Sequence, residues 1–397
     1  MKIRTRLLPL ALAGLLAAGC ATLPAEAPVR VDRDLFHDGA FAAPSHSIGA
    51  DKLFELSEPM RQYIASERFR KETRLKGDEG GLANVMAAKG ELKLHYDDTI
   101  TRDAAGTFAA GSGNCLSLVI MSAAFAKALK LDITYQNVRL DPDWSRSNGL
   151  YVASTHVNLS LTAPRAGIAS FNPNLNQSNS LTIDFVPSEQ AAKYRTEKLA
   201  EKTIVAMYLN NRAAEELGQQ RIDNAYWWAR AALEKDPAFT TAYNTLGVIY
   251  QKRGDHQRAE TVFKRALART PGDTIIMHNL VQTLARQGKT AQSDALARER
   301  ARLEPAPPFF YFERGITAME SQRYSEAKLL FEREVQRAPQ YHEFHYWLAM
   351  AHLWLGQNAQ AREQLAMAVD NSTSAHATER YSSKLAHLRA AADDRAR

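Results

Sequence analysis

The chain has 397 residues, enough for two or three domains, and its 45% hydrophobic and 24% charged residues exclude wholesale disorder and low-complexity architecture. Fifty basic against forty-four acidic residues leave a net charge of +6. Half of that excess is Lys2, Arg4 and Arg6, so too little remains for a dedicated nucleic-acid binder. Two cysteines, Cys20 and Cys115, exclude a disulfide-stapled fold and a Cys-rich zinc site.

Lys2, Arg4 and Arg6 precede a short apolar run from Leu7 to Leu16, interrupted by Pro9, and Ala17, Ala18, Gly19 and Cys20 follow. This is the layout of an export signal, shorter than the roughly 20 apolar residues of a membrane-spanning helix. The segment Leu16-Ala17-Ala18-Gly19-Cys20 resembles a bacterial lipoprotein lipobox, with Ala17 where Leu is usual and Leu16 displaced by one. The resemblance implies that residues 1–19 are removed and that Cys20 is acylated, anchoring the protein to a membrane. Ala21 after the cysteine, instead of Asp, points to the outer membrane of a bacterial envelope, on its periplasmic face. The alternative is ordinary secretory cleavage near Ala25-Glu26-Ala27, where Pro28 sits badly just after the cut. An acylated Cys20 can pair with nothing, which leaves Cys115 as a lone thiol in an oxidising compartment.

Residues 20–45 are rich in Ala and Pro and read as a tether. Residues 46–195 form the first expected domain. Leu53, Phe54, Leu56, Met60, Tyr63 and Ile64 recur at helical spacing between Asp51 and Phe69, with Pro59 as a kink, and a second short helix covers Leu82 to Leu92. The small, flexible stretch Thr107 to Gly113 leads into Asn114-Cys115. From Leu116 to Leu129 the pattern is apolar almost all round, which describes a buried helix with Cys115 in its first turn. The period then changes to two. Asp132–Val138, Leu150–Leu161 and Leu181–Val186 read as strands, with a loop around Pro142 and Trp144 and an Asn-rich loop from Asn172 to Asn179 between them. Helices followed by strands make this an α+β domain.

A helix N-terminus stabilises a thiolate, and a neighbouring base oriented by a third group would complete a nucleophilic site. His37 and His46 fall in the tether or at its edge, and His95 lies in a charged turn. His156 alone sits in a predicted strand, on the face it shares with Ser154 and Asn158. Asp184, bracketed by Ile183 and Phe185 in the next strand, needs a partner because a buried unpaired carboxylate is costly. Each of the three also has a plain structural reading: a small core residue, a hydrogen-bonded strand histidine, a turn or ion-pair acid. Gly113-Asn114-Cys115 opening a buried helix, then His156 and Asp184 in successive strands, resemble the transglutaminase-like superfamily of papain-type thiol enzymes. The resemblance covers roughly residues 95 to 187. It implies Cys115 as nucleophile, His156 as general base and acid, Asp184 as orienter of the imidazole, and the Cys115 backbone amide as part of an oxyanion hole. Leu116 stands where the eukaryotic cross-linking enzymes carry Trp, which argues against glutamine–lysine cross-linking; the resemblance to bacterial members, mostly peptidases or acyl-transfer enzymes and some inactive, implies a hydrolase or acyl transferase.

Beyond residue 200 the chain is helical and repeats. Pro237, Pro271, Pro305 and Pro339 are each 34 residues apart, the tetratricopeptide length. Tyr243, Leu246, Gly247, Tyr250, Gly254, Ala259, Phe263, Ala266 and Pro271 match that family's signature in register. Five repeats are expected over 200–373, closed by a capping helix over 374–397. The resemblance implies a concave groove for a protein or peptide partner, lined in repeats two and three by Asn244, Gln251, Lys252, His278, Gln282 and Arg286. His342, His345 and His352 lie at helical spacing, but two of them take helix-packing positions, so no metal is expected, and no motif asks for a cofactor. Two functions remain: an envelope thiol hydrolase or acyl transferase acting on peptide or amide bonds, with the repeats recruiting substrate, or a non-catalytic scaffold in which the solenoid is the working part.

Overall fold

A computed structural model describes residues 30–87, 92–97, 99–147, 150–162, 180–185, 195–372 and 374–396. The signal segment, Cys20 and the Asn-rich loop lie outside the described residues. From Val31 onward the chain forms one compact unit. No helix among the described residues is long and apolar enough to cross a membrane.

The tether reading ends earlier than expected. Residues 31–46 are docked along the repeats, in a path marked by two single turns of 3-10 helix, Arg33–Leu35 and Asp38–Ala40. Leu35 and Phe41 are buried, and the Phe41 ring stacks on Tyr226 with centroids 3.8 Å apart. Polar bonds follow the apolar anchors. The Tyr226 hydroxyl donates to Asp38 at 2.6 Å and accepts from the His37 amide at 2.9 Å. Asp32 pairs with Arg265, and the Tyr250 hydroxyl donates to the Leu35 carbonyl. The Ala- and Pro-rich composition concealed these few large side chains.

Helix α1 spans Glu58–Ala65 and α2 spans Glu67–Met86, interrupted at Gly77. Pro59 starts α1 and does not kink it, because its missing N–H is not needed in a first turn. Ser66 closes α1 and caps α2 by accepting from the Phe69 amide. The stretch read as flexible forms helix α3, Ala104–Ala110, capped by Asp103, and then strand β2, Ser112–Gly113, which pairs in parallel with β1, His95–Tyr96. Helix α4 spans Cys115–Ala128, and every residue from Leu116 to Ala126 is buried, as its all-round apolar pattern requires.

Strands β3 (Asp132–Ser147), β4 (Leu150–Thr162), β5 (Leu181–Ile183) and β6 (Arg195–Leu199) form an antiparallel sheet in the order β5-β4-β3-β6. The expected loop around Pro142 and Trp144 is a register shift within a longer hairpin: Val138 pairs with His156, and pairing resumes at Asp143 with Ser154. Pro142, which has no N–H for a ladder bond, falls among the skipped residues. Strand β6 was not expected from the pattern. It leads into the first repeat helix within two residues.

Ten helices then pair into five antiparallel hairpins: α5 Glu201–Gly218 with α6 Ile222–Lys235, α7 Thr240–Arg253 with α8 His256–Arg269, α9 Thr274–Arg286 with α10 Thr290–Leu303, α11 Phe310–Glu320 with α12 Tyr324–Arg337, and α13 His342–Trp354 with α14 Asn358–Asp370. Helix α15, Ala375–Ala396, closes the series. Each of the four evenly spaced prolines stands two residues after a second helix, where it stops continuation. One buried apolar cluster runs without a break from Leu35 and Phe69 through α4 and Val157 to Ile204, Leu246 and Leu284. The α+β part therefore covers the open apolar end of the first repeat, the role a capping repeat takes in a solenoid.

Candidate functional site

Cys115 opens α4 and is half-buried. Its position is set by Asn114, whose Oδ1 accepts from both the amide and the hydroxyl of Ser117 at 2.9 Å, satisfying first-turn donors. Gly113 precedes it because a Cβ there would stand 2.7 Å from that of Ser117.

His156 and Asn158 point to one face of β4 because side chains alternate along a strand. The pairing of Leu159 with Ile183 places Asp184, one residue past the end of β5, opposite Asn158. His156 Nε2 lies 2.6 Å from Asp184 Oδ1, and Asn158 Nδ2 donates to Asp184 Oδ2 at 2.7 Å. One step along, Ser160 and Thr182 share a hydroxyl bond at 2.8 Å. Cys115 lies close enough to act electrostatically on the same ring. Burial works against the imidazolium, but the bond to Asp184 and the charges of Asp184 and Cys115 outweigh it, and the ring's pKa is pushed up to about 9. The structure thus joins His156 to Asp184, with Cys115 acting on the same ring. Such a chain can hold a proton between a sulfur and a carboxylate.

Sequence reasoning gave Asn158 no role. It sits two residues from His156 on the same strand face, and that period of two was the available signal. It is 4% exposed, and its Oδ1 has no hydrogen-bond partner among the described residues.

The six expected groove residues divide. Gln251 is buried and donates to Thr283 Oγ1 on the next repeat, so it packs repeats together and does not line an open groove. Asn244 is half-buried and accepts from Asn279 at 2.9 Å, again between repeats. Lys252, Gln282 and Arg286 are exposed; His278 is half-buried and bonded to Gln282. Burial, with help from Arg300, holds His278 below the ordinary imidazole range. His342 meets the Tyr381 hydroxyl, His345 meets Gln364 and the Pro339 carbonyl, and His352 meets Gln357, so each ring serves packing between helices.

The family model of the tetratricopeptide repeat matches residues 240–273 and 318–388. No curated protein matches the chain. Among solved structures, the chain is similar to YrrB, described as a tetratricopeptide protein with an unusual peptide-binding site, at 18% identity over 45% of this chain and 92% of that one, with a TM-score of 0.25. A thermophilic tetratricopeptide protein of Thermus thermophilus is similar at 19% identity over 45% and 98%, with a TM-score of 0.30. PilF of Pseudomonas aeruginosa is similar at 17% identity over 49% and 88%, also with a TM-score of 0.30. The two family matches fall on helices α7–α8 and on the stretch from α11 to α15, in the register set by the evenly spaced prolines; the C-terminal half of this chain is built of tetratricopeptide repeats.

Proposed function

We propose that this protein is an envelope-located thiol hydrolase or acyl transferase of transglutaminase-like type, acting on peptide or amide bonds, with its repeats recruiting the substrate or a protein partner. The observation that carries the reading is the His156 ring bonded to Asp184, with Cys115 at the start of α4 acting on the same ring. With the proton on His156, the Cys115 sulfur attacks the carbonyl carbon, and the backbone amide at the start of α4 receives the developing oxyanion. As the C–N bond breaks, His156 gives its proton to the leaving amine. Water or an acceptor amine then attacks the thioester, returns a proton to His156 and releases the sulfur. Asp184 keeps the ring oriented through both steps.

The test is alkylation of Cys115 by iodoacetamide across pH 5 to 9 in the wild type and in His156→Ala. The reading requires a rate at neutral pH above that of a free model thiol and its loss in the variant. A rate equal to the model thiol in both overturns it. Cys20 acylation is the source of the envelope location in this reading, and radiolabelled palmitate incorporated by the wild type but not by Cys20→Ser supports it.

A second reading, a non-catalytic scaffold, is favoured by the family matches themselves, which fall entirely on the repeats. Tetratricopeptide repeats are a scaffold for protein interaction, and exposed Lys252 and Arg286 give this one a basic edge for a peptide. Cys115→Ala leaves the cellular phenotype intact under the scaffold reading and abolishes it under the enzyme reading.

A further inference from the structure

Asn114 uses only half of its amide to cap α4. The other half, Nδ2, donates to Thr101 Oγ1 at 2.9 Å, and Thr101 lies in the turn between β1 and α3, 3% exposed. The same hydroxyl accepts from Asn211 Nδ2 at 3.2 Å. The two bonds use both acceptor sites of the threonine hydroxyl. The Thr101 amide adds a bond to Glu215 Oε1 at 2.6 Å, and Arg212 pairs with Glu215 Oε2 at 2.6 Å. Asn211 and Glu215 are four residues apart, hence on one face of α5, the first helix of the repeats. The next residue of the turn joins in: the Arg102 amide donates to Ser117 Oγ, whose own proton goes to Asn114 Oδ1.

We propose that Thr101, Asn211 and Glu215 are positioning residues for the thiol, so that the first repeat helix forms part of the machinery that sets Cys115 against His156. Thr101 and Ser117 are buried and the other members of the path are half-buried, and the path ends on the residue that fixes the first turn of α4. A cap needs only an oxygen acceptor; an asparagine, and not a serine or aspartate, supplies the additional donor that reaches the repeat helix. The inference rests on the reading of Cys115 as a nucleophile. Its consequence is that the solenoid and the thiol site are coupled mechanically at α5.

The test compares Thr101→Val and Thr101→Ser in the full chain. The iodoacetamide rate at Cys115 is measured against pH, with circular dichroism to verify folding. Thr101→Val, which keeps the shape and loses the hydroxyl, slows alkylation by up to about a hundredfold and shifts its pH profile, as a displacement of reacting groups by about an ångström does. Thr101→Ser restores the wild-type rate. A folded Thr101→Val with the wild-type profile overturns the proposal; if that variant does not fold, Asn211→Ala takes its place with the same two outcomes. Should the wild-type thiol itself react like a free cysteine, it is the enzyme reading that fails. The clamp is then judged by amide hydrogen exchange at Leu116–Ser117, which Thr101→Val accelerates and Thr101→Ser does not; unchanged exchange overturns it.

Discussion

Burial alone would strip the proton from His156, yet the ring keeps it to about pH 9 because Asp184 and Cys115 both hold it. The folded-state pKa lies above the ordinary value of 6.5, so the stabilisation is fully present below about pH 6.5 and is lost as pH rises through about 9. A gap of this size between folded and unfolded states is worth on the order of 3 kcal/mol. The wild type is therefore expected to exceed Asp184→Asn in unfolding free energy at pH 6, by a margin that shrinks towards pH 10. Urea titrations at both pH values check this, and a margin independent of pH contradicts it. Gly247 is a second residue whose role is set by distance. A Cβ there would lie 2.4 Å from the Phe263 ring, which is fully buried and has nowhere to move. Ala gains about 1 kcal/mol of helix propensity over Gly, whereas overpacking costs about 1–3 kcal/mol. Gly247→Ala is thus expected to lower the melting temperature, and an unchanged or raised midpoint excludes the clash.

At the scale of elements, what was legible in the sequence depended on period. Helix α4 announces itself by an unbroken apolar run, the repeat helices by a 34-residue period and the strand carrying His156 by a period of two; Cys115 and His156 sit on those elements and Asp184 just past the end of β5. The clamp at Thr101 and the docked segment 31–46 were invisible because their partners lie more than 100 residues away and no local pattern records them. Helix α3 was hidden by its small residues, whose composition suits a loop equally well. The docked segment makes its own prediction. Phe41 stacks on Tyr226, and the Arg253 guanidinium lies 4.6 Å from its centroid on the open side. Truncating a buried aromatic costs about 3–5 kcal/mol, several times what any single polar bond beside it contributes. Phe41→Ala is expected to release residues 31–46 to limited proteolysis before any cut appears in α1–α4. Protection equal to the wild type shows instead that the polar bonds suffice.

Among the described residues, the largest apolar cluster does not break between the α+β part and the repeats but after the third repeat. The apolar cluster that begins at Leu35 extends through the third repeat, with Leu284 buried and Leu296 packed against it; a separate cluster begins at Phe309 and includes Phe331 and Leu348. Between them runs Glu304–Pro308, with Pro305, Pro307 and Pro308, and Leu303 just before it is 54% exposed. In a solenoid, stability is the sum of repeat terms and nearest-neighbour interfaces, so a weak interface divides cooperativity at that point. Repeats four and five with α15 are therefore expected to unfold as a unit of their own, and α1–α10 as another. Phe331→Ala, costing about 3–5 kcal/mol, separates the two. It lowers the unfolding midpoint of α11–α15 in hydrogen exchange monitored by mass spectrometry and leaves α1–α10 and the alkylation rate of Cys115 unmoved. The same substitution lowering exchange protection in α4 reveals one cooperative unit across the prolines, and the thiol site then depends on all five repeats instead of the first.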